Sequence, residues 1–113
     1  MKLAYREFGS GQPLIILHGL FGQSDNWNTL AKRFGEKGFH VFTVDQRNHG
    51  LSHHDDEWDY QVMAMDLNEF IETHQLNNVI LLGHSMGGKT VLFFEQMYPH
   101  VAQKIIVADI APR

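Results

Sequence analysis

Four short apolar runs recur along the chain: Leu14-Ile15-Ile16-Leu17, Val41-Phe42-Thr43-Val44, Val79-Ile80-Leu81-Leu82 and Ile105-Ile106-Val107. Runs of this length, rich in β-branched residues and without polar alternation, suit strands covered on both faces, as in a parallel sheet. Leu3 to Phe8 differs in alternating apolar and polar positions, the pattern of a half-exposed strand near a sheet edge. Gly9-Ser10-Gly11-Gln12-Pro13 then reads as a turn.

The stretches between the runs have helical periodicity. Trp27, Leu30, Ala31 and Phe34 fall at i, i+3, i+4 and i+7, which predicts one sheet-facing stripe behind a cap at Ser24 or Asp25. Met63, Leu67, Phe70, Ile71 and His74 form a second stripe, with Asp59 placed to cap it. A third helix runs through Val91-Leu92-Phe93-Phe94 to Tyr98 and is stopped by Pro99; its near-continuous apolarity predicts burial around much of its circumference. Asn77-Asn78 turns the chain into the run at Val79, and Val101 to Ile110 supplies the last strand. Strands and helices alternate without repeat or linker. The expected fold class is therefore α/β, a mostly parallel sheet with helices on both faces and right-handed crossovers.

Composition narrows the function classes. A chain of 113 residues with 43% hydrophobic and 19% charged residues is one ordinary globular domain. A net charge of −4 without a Lys/Arg cluster argues against nucleic acid as a partner. Zero cysteines remove disulfides, thiol nucleophiles and cysteine metal sites, and fit a reducing compartment. Met1 to Phe8 lacks the apolar stretch of a signal peptide and no run approaches membrane-spanning length, so the expected location is cytoplasmic, with no membrane partner.

Three loops at the C-terminal ends of the runs hold the candidate chemistry, since open parallel sheets place ligands at that edge. In Gly83-His84-Ser85-Met86-Gly87-Gly88, Gly83 and Gly87 bracket Ser85 in the G-x-S-x-G spacing of a nucleophile elbow. So sharp a strand-to-helix turn brings the two backbones together, and side chains at the bracketing positions would collide. The same residues, Gly83 to Thr90, also spell G-x-x-x-x-G-K-T, the Walker A phosphate loop, for which Asp109 would serve as a magnesium ligand. Both readings place negative charge at a helix N-terminus.

His18-Gly19-Leu20-Phe21-Gly22 is either the donor of a backbone N–H to an oxyanion hole or a structural turn with a hydrogen-bonded histidine. Asp45, Arg47 and His49 read as groups that brace their own turn rather than react. His53-His54-Asp55-Asp56-Glu57 has no ligand spacing and reads as a solvated loop, so no metal and no other cofactor is expected.

Taken in order, these loops, with Asp25-Asn26-Trp27 and Ala108-Asp109-Ile110-Ala111-Pro112, resemble the N-terminal half of an α/β-hydrolase, close to the small esterases and thioesterases of the YbfF type. The likeness covers essentially the whole chain and only part of that family's domain. It leaves the two earlier glycine loops a purpose, which the Walker reading does not. The resemblance implies Ser85 as nucleophile, the N–H groups of Leu20 and Met86 as oxyanion hole, and His18, Phe21 and His84 as residues shaping the substrate site. It further implies Asp109 as the acid that orients the base; a strand-end aspartate binding nearby backbone is the competing structural role. The substrate expected is a small acyl ester or thioester.

In this family the histidine base comes last, and no histidine follows His100, which should lie at the opposite sheet edge from Ser85. The chain is thus expected to be residues 1–113 of a single hydrolase domain without its cap and C-terminal part, impaired in turnover. It should expose an apolar sheet edge at its last strand and aggregate, self-associate or need the missing half. A non-catalytic hydrolase-like module is the third reading, motivated by the missing base.

Overall fold

The computed structural model describes residues 3–17, 28–45, 59–84 and 86–108. Each apolar run forms a strand: β2 Gln12–Leu17, β3 Phe39–Val44, β4 Val79–His84 and β5 Ala102–Ala108, with β1 at Tyr5–Phe8. Helices α1 Asn28–Glu36, α2 Tyr60–Thr73 and α3 Met86–Met97 lie between them. The strands form one sheet in the order β1-β3-β2-β4-β5. Only β1 runs antiparallel, on β3; the β2–β3, β2–β4 and β4–β5 pairs are parallel.

Side-chain alternation divides the core between the two faces of the sheet. Ile15 and Leu17 of β2 join Phe42, Val44, Val79 and Leu81 in packing against Leu67 and Phe70 of α2 and Val91 and Phe94 of α3. Leu14 and Ile16 point the other way, with Val41 and Leu82, onto Ala31 of α1. Burying each aliphatic side chain of this kind contributes roughly 1.5–3 kcal/mol, which explains why β2 and β4, covered on both faces, lie at the centre.

Local signals set the element ends. Asp59 caps α2, its carboxylate accepting the Val62 N–H at 2.8 Å. Asn78 adopts a left-handed φ of 56° where the chain enters β4, a conformation asparagine tolerates. The stripe Met63, Leu67, Phe70 and Ile71 is buried as its spacing predicts, with His74 half-buried.

Three expectations are corrected. Gln12 and Pro13 belong to β2 rather than to the preceding turn: the Gln12 amide donates to the Asn78 carbonyl at 2.9 Å and to Gln103 at 2.7 Å, pinning the strand's start. Leu30 is 37% exposed, because α1 buries only the narrow stripe around Ala31 where it lies on the sheet. The third helix is less enclosed than its apolarity predicts. Val91 and Phe94 are buried against the sheet, but Leu92 is 53% exposed, since among the described residues nothing flanks α3 beyond β5.

That flank is the edge of the sheet among the described residues. Among the described residues β5 pairs with β4 alone, and its Ile106 and Val107 are 41% and 43% exposed. An edge of this kind, with unpaired backbone and apolar side chains, matches the open strand expected from sequence.

Candidate active site

The parallel registers bring the C-terminal strand ends to one edge. Leu17 of β2 pairs with Val44 of β3 and with Gly83 of β4, and His84 of β4 pairs with Ala108 of β5. The residues that follow these ends in sequence are His18, Asp45, Ser85 and Asp109. Ser85 and Asp109 are therefore the immediate successors of a matched pair on strands that lie about 4.8 Å apart. Ser85, Asp109, His18, Leu20 and Phe21 themselves lie outside the described residues, as do Arg47, His49 and the His53–Glu57 stretch.

The frame around Ser85 is described on both sides. β4 runs to His84 and α3 begins at Met86, so a single residue joins strand to helix. The two glycines are required by contact. A Cβ on Gly83 would lie 2.6 Å from the Gly87 carbonyl carbon and 2.7 Å from Gly88 Cα. A Cβ on Gly87 would lie 2.6 Å from the Leu17 carbonyl carbon. Helix α3 thus starts pressed against both its own strand and the end of β2, the collision that the spacing predicts. Met86 is buried and His84 half-buried. The twelve-residue helix that starts at Met86 carries unpaired N–H groups and the positive end of its dipole at its first turn.

The same geometry removes the phosphate-loop reading. A Walker loop needs a run of free backbone N–H groups between strand and helix, and here Gly83 and His84 are strand while Met86 to Thr90 are helix. Thr90 is fully buried, its hydroxyl donating to the Met86 carbonyl at 3.3 Å, and so is turned away from any metal-bound phosphate. Lys89 lies over the Tyr60 ring, 5.9 Å from its centroid.

Of the histidines among the described residues, only His84 is at this edge. His40 is near the start of β3 and meets the Glu7 carboxylate at 2.7 Å; His74 caps the end of α2; His100 precedes β5. His100 is accordingly at the opposite end of β5 from Ala108, as expected. Asp45 is buried, and its backbone N–H donates to the Ala4 carbonyl at 2.9 Å. Among the described residues no group of three His, Asp or Glu side chains is placed to hold a metal ion, and no helix is long and apolar enough to cross a membrane.

Residues 12–112 match the alpha/beta hydrolase fold family. The chain belongs to that family. Among curated α/β-hydrolase relatives, it is 42% identical over 103 residues to the sn-1-specific diacylglycerol lipase ABHD11 of Xenopus laevis, covering 90% of this chain and 33% of that protein. It is 37% identical over 103 residues to Esterase YbfF of Escherichia coli, covering 91% of this chain and 40% of the esterase. A solved marine microorganism esterase superposes with a TM-score of 0.92 at 51% identity, over 98% of this chain and 42% of that one. The chain therefore spans about a third to two fifths of the length of these hydrolases.

The polar residue that sequence reasoning missed is Asp66, buried on α2 at 3% exposure inside an otherwise apolar stripe. The Lys89–Tyr60 contact was missed as well. Its signal was present in the helical spacing of Lys89 and Phe93, four residues apart on α3, but the partner comes from another helix.

Proposed function

We propose that the protein is a serine hydrolase that cleaves small acyl esters or thioesters through an acyl-Ser85 intermediate. The observation that carries this reading is the one-residue junction between β4 and α3, with its two glycines in forced contact, since Ser85 is the residue between strand and helix in sequence. The Ser85 hydroxyl attacks the acyl carbonyl, and the resulting oxyanion is held by the N–H groups of Met86 and Leu20, each commonly worth about 3 kcal/mol of barrier. Asp109 orients the histidine that takes the Ser85 proton and returns it to the leaving group. The pairing of His84 with Ala108 supports this role, because Ser85 and Asp109 are the next residues in sequence after that matched pair. His18, Phe21 and His84 line the acyl site. No cofactor takes part, and the absence of cysteine fits action in the reducing cytoplasm.

The mechanism needs a histidine base, and of the described histidines only His84, assigned to the acyl site, is at this edge. Without that base a serine hydrolase retains only the contribution of oxyanion hole and binding, roughly 10³-fold over water. The assignment is therefore tested in a protein completed with a C-terminal part that carries the histidine, where cleavage of an activated ester such as 4-nitrophenyl butyrate is expected to fall by roughly 10⁶ in Ser85→Ala. A completed protein whose rate Ser85→Ala leaves unchanged would contradict the assignment and favour a non-catalytic module.

A further inference from the structure

Lys89 stands where helix energetics disfavour it. It is the fourth residue of α3, and a cation in the first turn of a helix is opposed by the positive end of the macrodipole. Among the described residues no carboxylate pairs with it. Its ammonium is instead held over the Tyr60 ring at 5.9 Å from the centroid, and that ring is stacked on Phe93 with centroids 5.4 Å apart at 22°. Lys89 and Phe93 are four residues apart and share one face of α3, whereas Tyr60 opens α2. Two helices thus build an aromatic seat for one charge. Cation–π attraction of this kind fixes an otherwise mobile lysine head.

Along the chain Lys89 is close to the elbow. Ser85 immediately precedes α3, and Lys89 follows it by four residues, about 6 Å along a helix axis. We propose that Lys89 is an electrostatic residue of the Ser85 site, its ammonium held by Tyr60 and Phe93 so that its charge adds to the field of the α3 N-terminus acting on the anion formed at Ser85. Tyr60 and Phe93 are then positioning residues, and the unfavourable place of Lys89 in the helix is offset by stabilisation of negative charge at its head. The proposal rests on the reading of Ser85 as nucleophile.

A thiol at the nucleophile position reads this field without substrate or base. The chain has no cysteine, so the Ser85→Cys variant carries one thiol, whose titration is followed by ultraviolet absorbance or alkylation rate. A unit charge roughly 10 Å away shifts such a group by about 0.3 to 1 unit, depending on solvent screening. Adding Lys89→Met to Ser85→Cys is expected to raise the thiol pKa by that amount at low salt and by less at 1 M salt. Lys89→Arg is expected to restore the lower value, and Tyr60→Leu to raise it part of the way by releasing the lysine.

With Ser85 in place, Lys89→Met is expected to melt at the same temperature or higher, because a misplaced cation has been removed; a purely structural lysine predicts a lower midpoint. An unchanged thiol pKa in Lys89→Met at low salt overturns the proposal, whatever the ester assay gives. A shifted thiol, in a protein whose ester cleavage does not depend on Ser85 once the histidine base is supplied, overturns the hydrolase reading and leaves the field at the helix head intact.

Discussion

Gly87→Ala is expected to destabilise the fold by about 3 kcal/mol or more, although helix propensity alone predicts the opposite sign. Alanine is favoured over glycine by about 1 kcal/mol inside a helix, and residue 87 is the second residue of α3. The added Cβ, however, would meet the end of β2, at 2.6 Å from the Leu17 carbonyl carbon and 2.9 Å from Leu17 Cβ. Leu17 is buried between β3 and β4 and cannot withdraw without breaking both pairings. Gly83→Ala meets the Gly87 and Gly88 backbone in the same way and is expected to cost a similar amount.

Gly88→Ala is the internal control. Its Cβ meets at closest a methyl of Val107, at 2.9 Å. Val107 is on the open edge strand and can rotate, so the loss there should be smaller. Urea denaturation of the three variants measures the ranking. If Gly87→Ala were as stable as the native chain, the close contact between elbow and β2 would be refuted.

Joining this chain to the part of the marine microorganism esterase that lies beyond its matched region is expected to raise ester turnover by at least ~10⁴-fold over the chain alone, because loss of the general base is among the largest single losses in a serine hydrolase. In the joined protein Asp109→Asn is expected to reduce kcat by about 10⁴, as loss of the orienting acid does elsewhere, whereas in the chain alone it should change little. The asymmetry follows from mechanism: an acid that acts only through a histidine has no effect where the histidine is absent.

The same joining is expected to abolish binding of a hydrophobic dye. Among the described residues the chain exposes Leu92 at 53%, and Ile106 and Val107 at 41% and 43% on a strand paired along one edge only, surfaces that favour aggregation or self-association. A chain that is monomeric, binds no dye and gains nothing from the joined segment would contradict both halves of the prediction.

How much of this was legible in the sequence varied with the range of the cause. The elbow was legible because its constraint is local: two glycines at fixed offsets imply a turn in which strand and helix backbones touch, and the contacts of Gly83 and Gly87 are those the spacing requires. Asp59 was legible for the same reason, a cap acting three residues ahead on Val62. Burial was less so. Leu30 and Leu92 have the hydrophobicity and period of core residues and are exposed because of what does or does not lie beyond α1 and α3, which no single helix records.

The start of β2 illustrates the same limit. Gln12-Pro13 has turn composition, yet the strand begins there because Gln12 is held by Asn78 and Gln103, residues distant in sequence. Pairing between elements also hid the seat of Lys89. Read alone, that residue was part of a Walker A pattern; only the approach of α2 supplies the Tyr60 ring. At the site, the order of the glycine loops disfavoured a phosphate loop before the one-residue junction between β4 and α3 did so geometrically.

The central claim, that Ser85 is the nucleophile, is tested most directly by a fluorophosphonate probe, which bonds covalently to an activated serine. Intact and peptide mass spectrometry of the joined protein should show one adduct, on the peptide containing Ser85, and none in Ser85→Ala. Ester hydrolysis without labelling of Ser85, or an adduct on another residue that persists in Ser85→Ala, would contradict it.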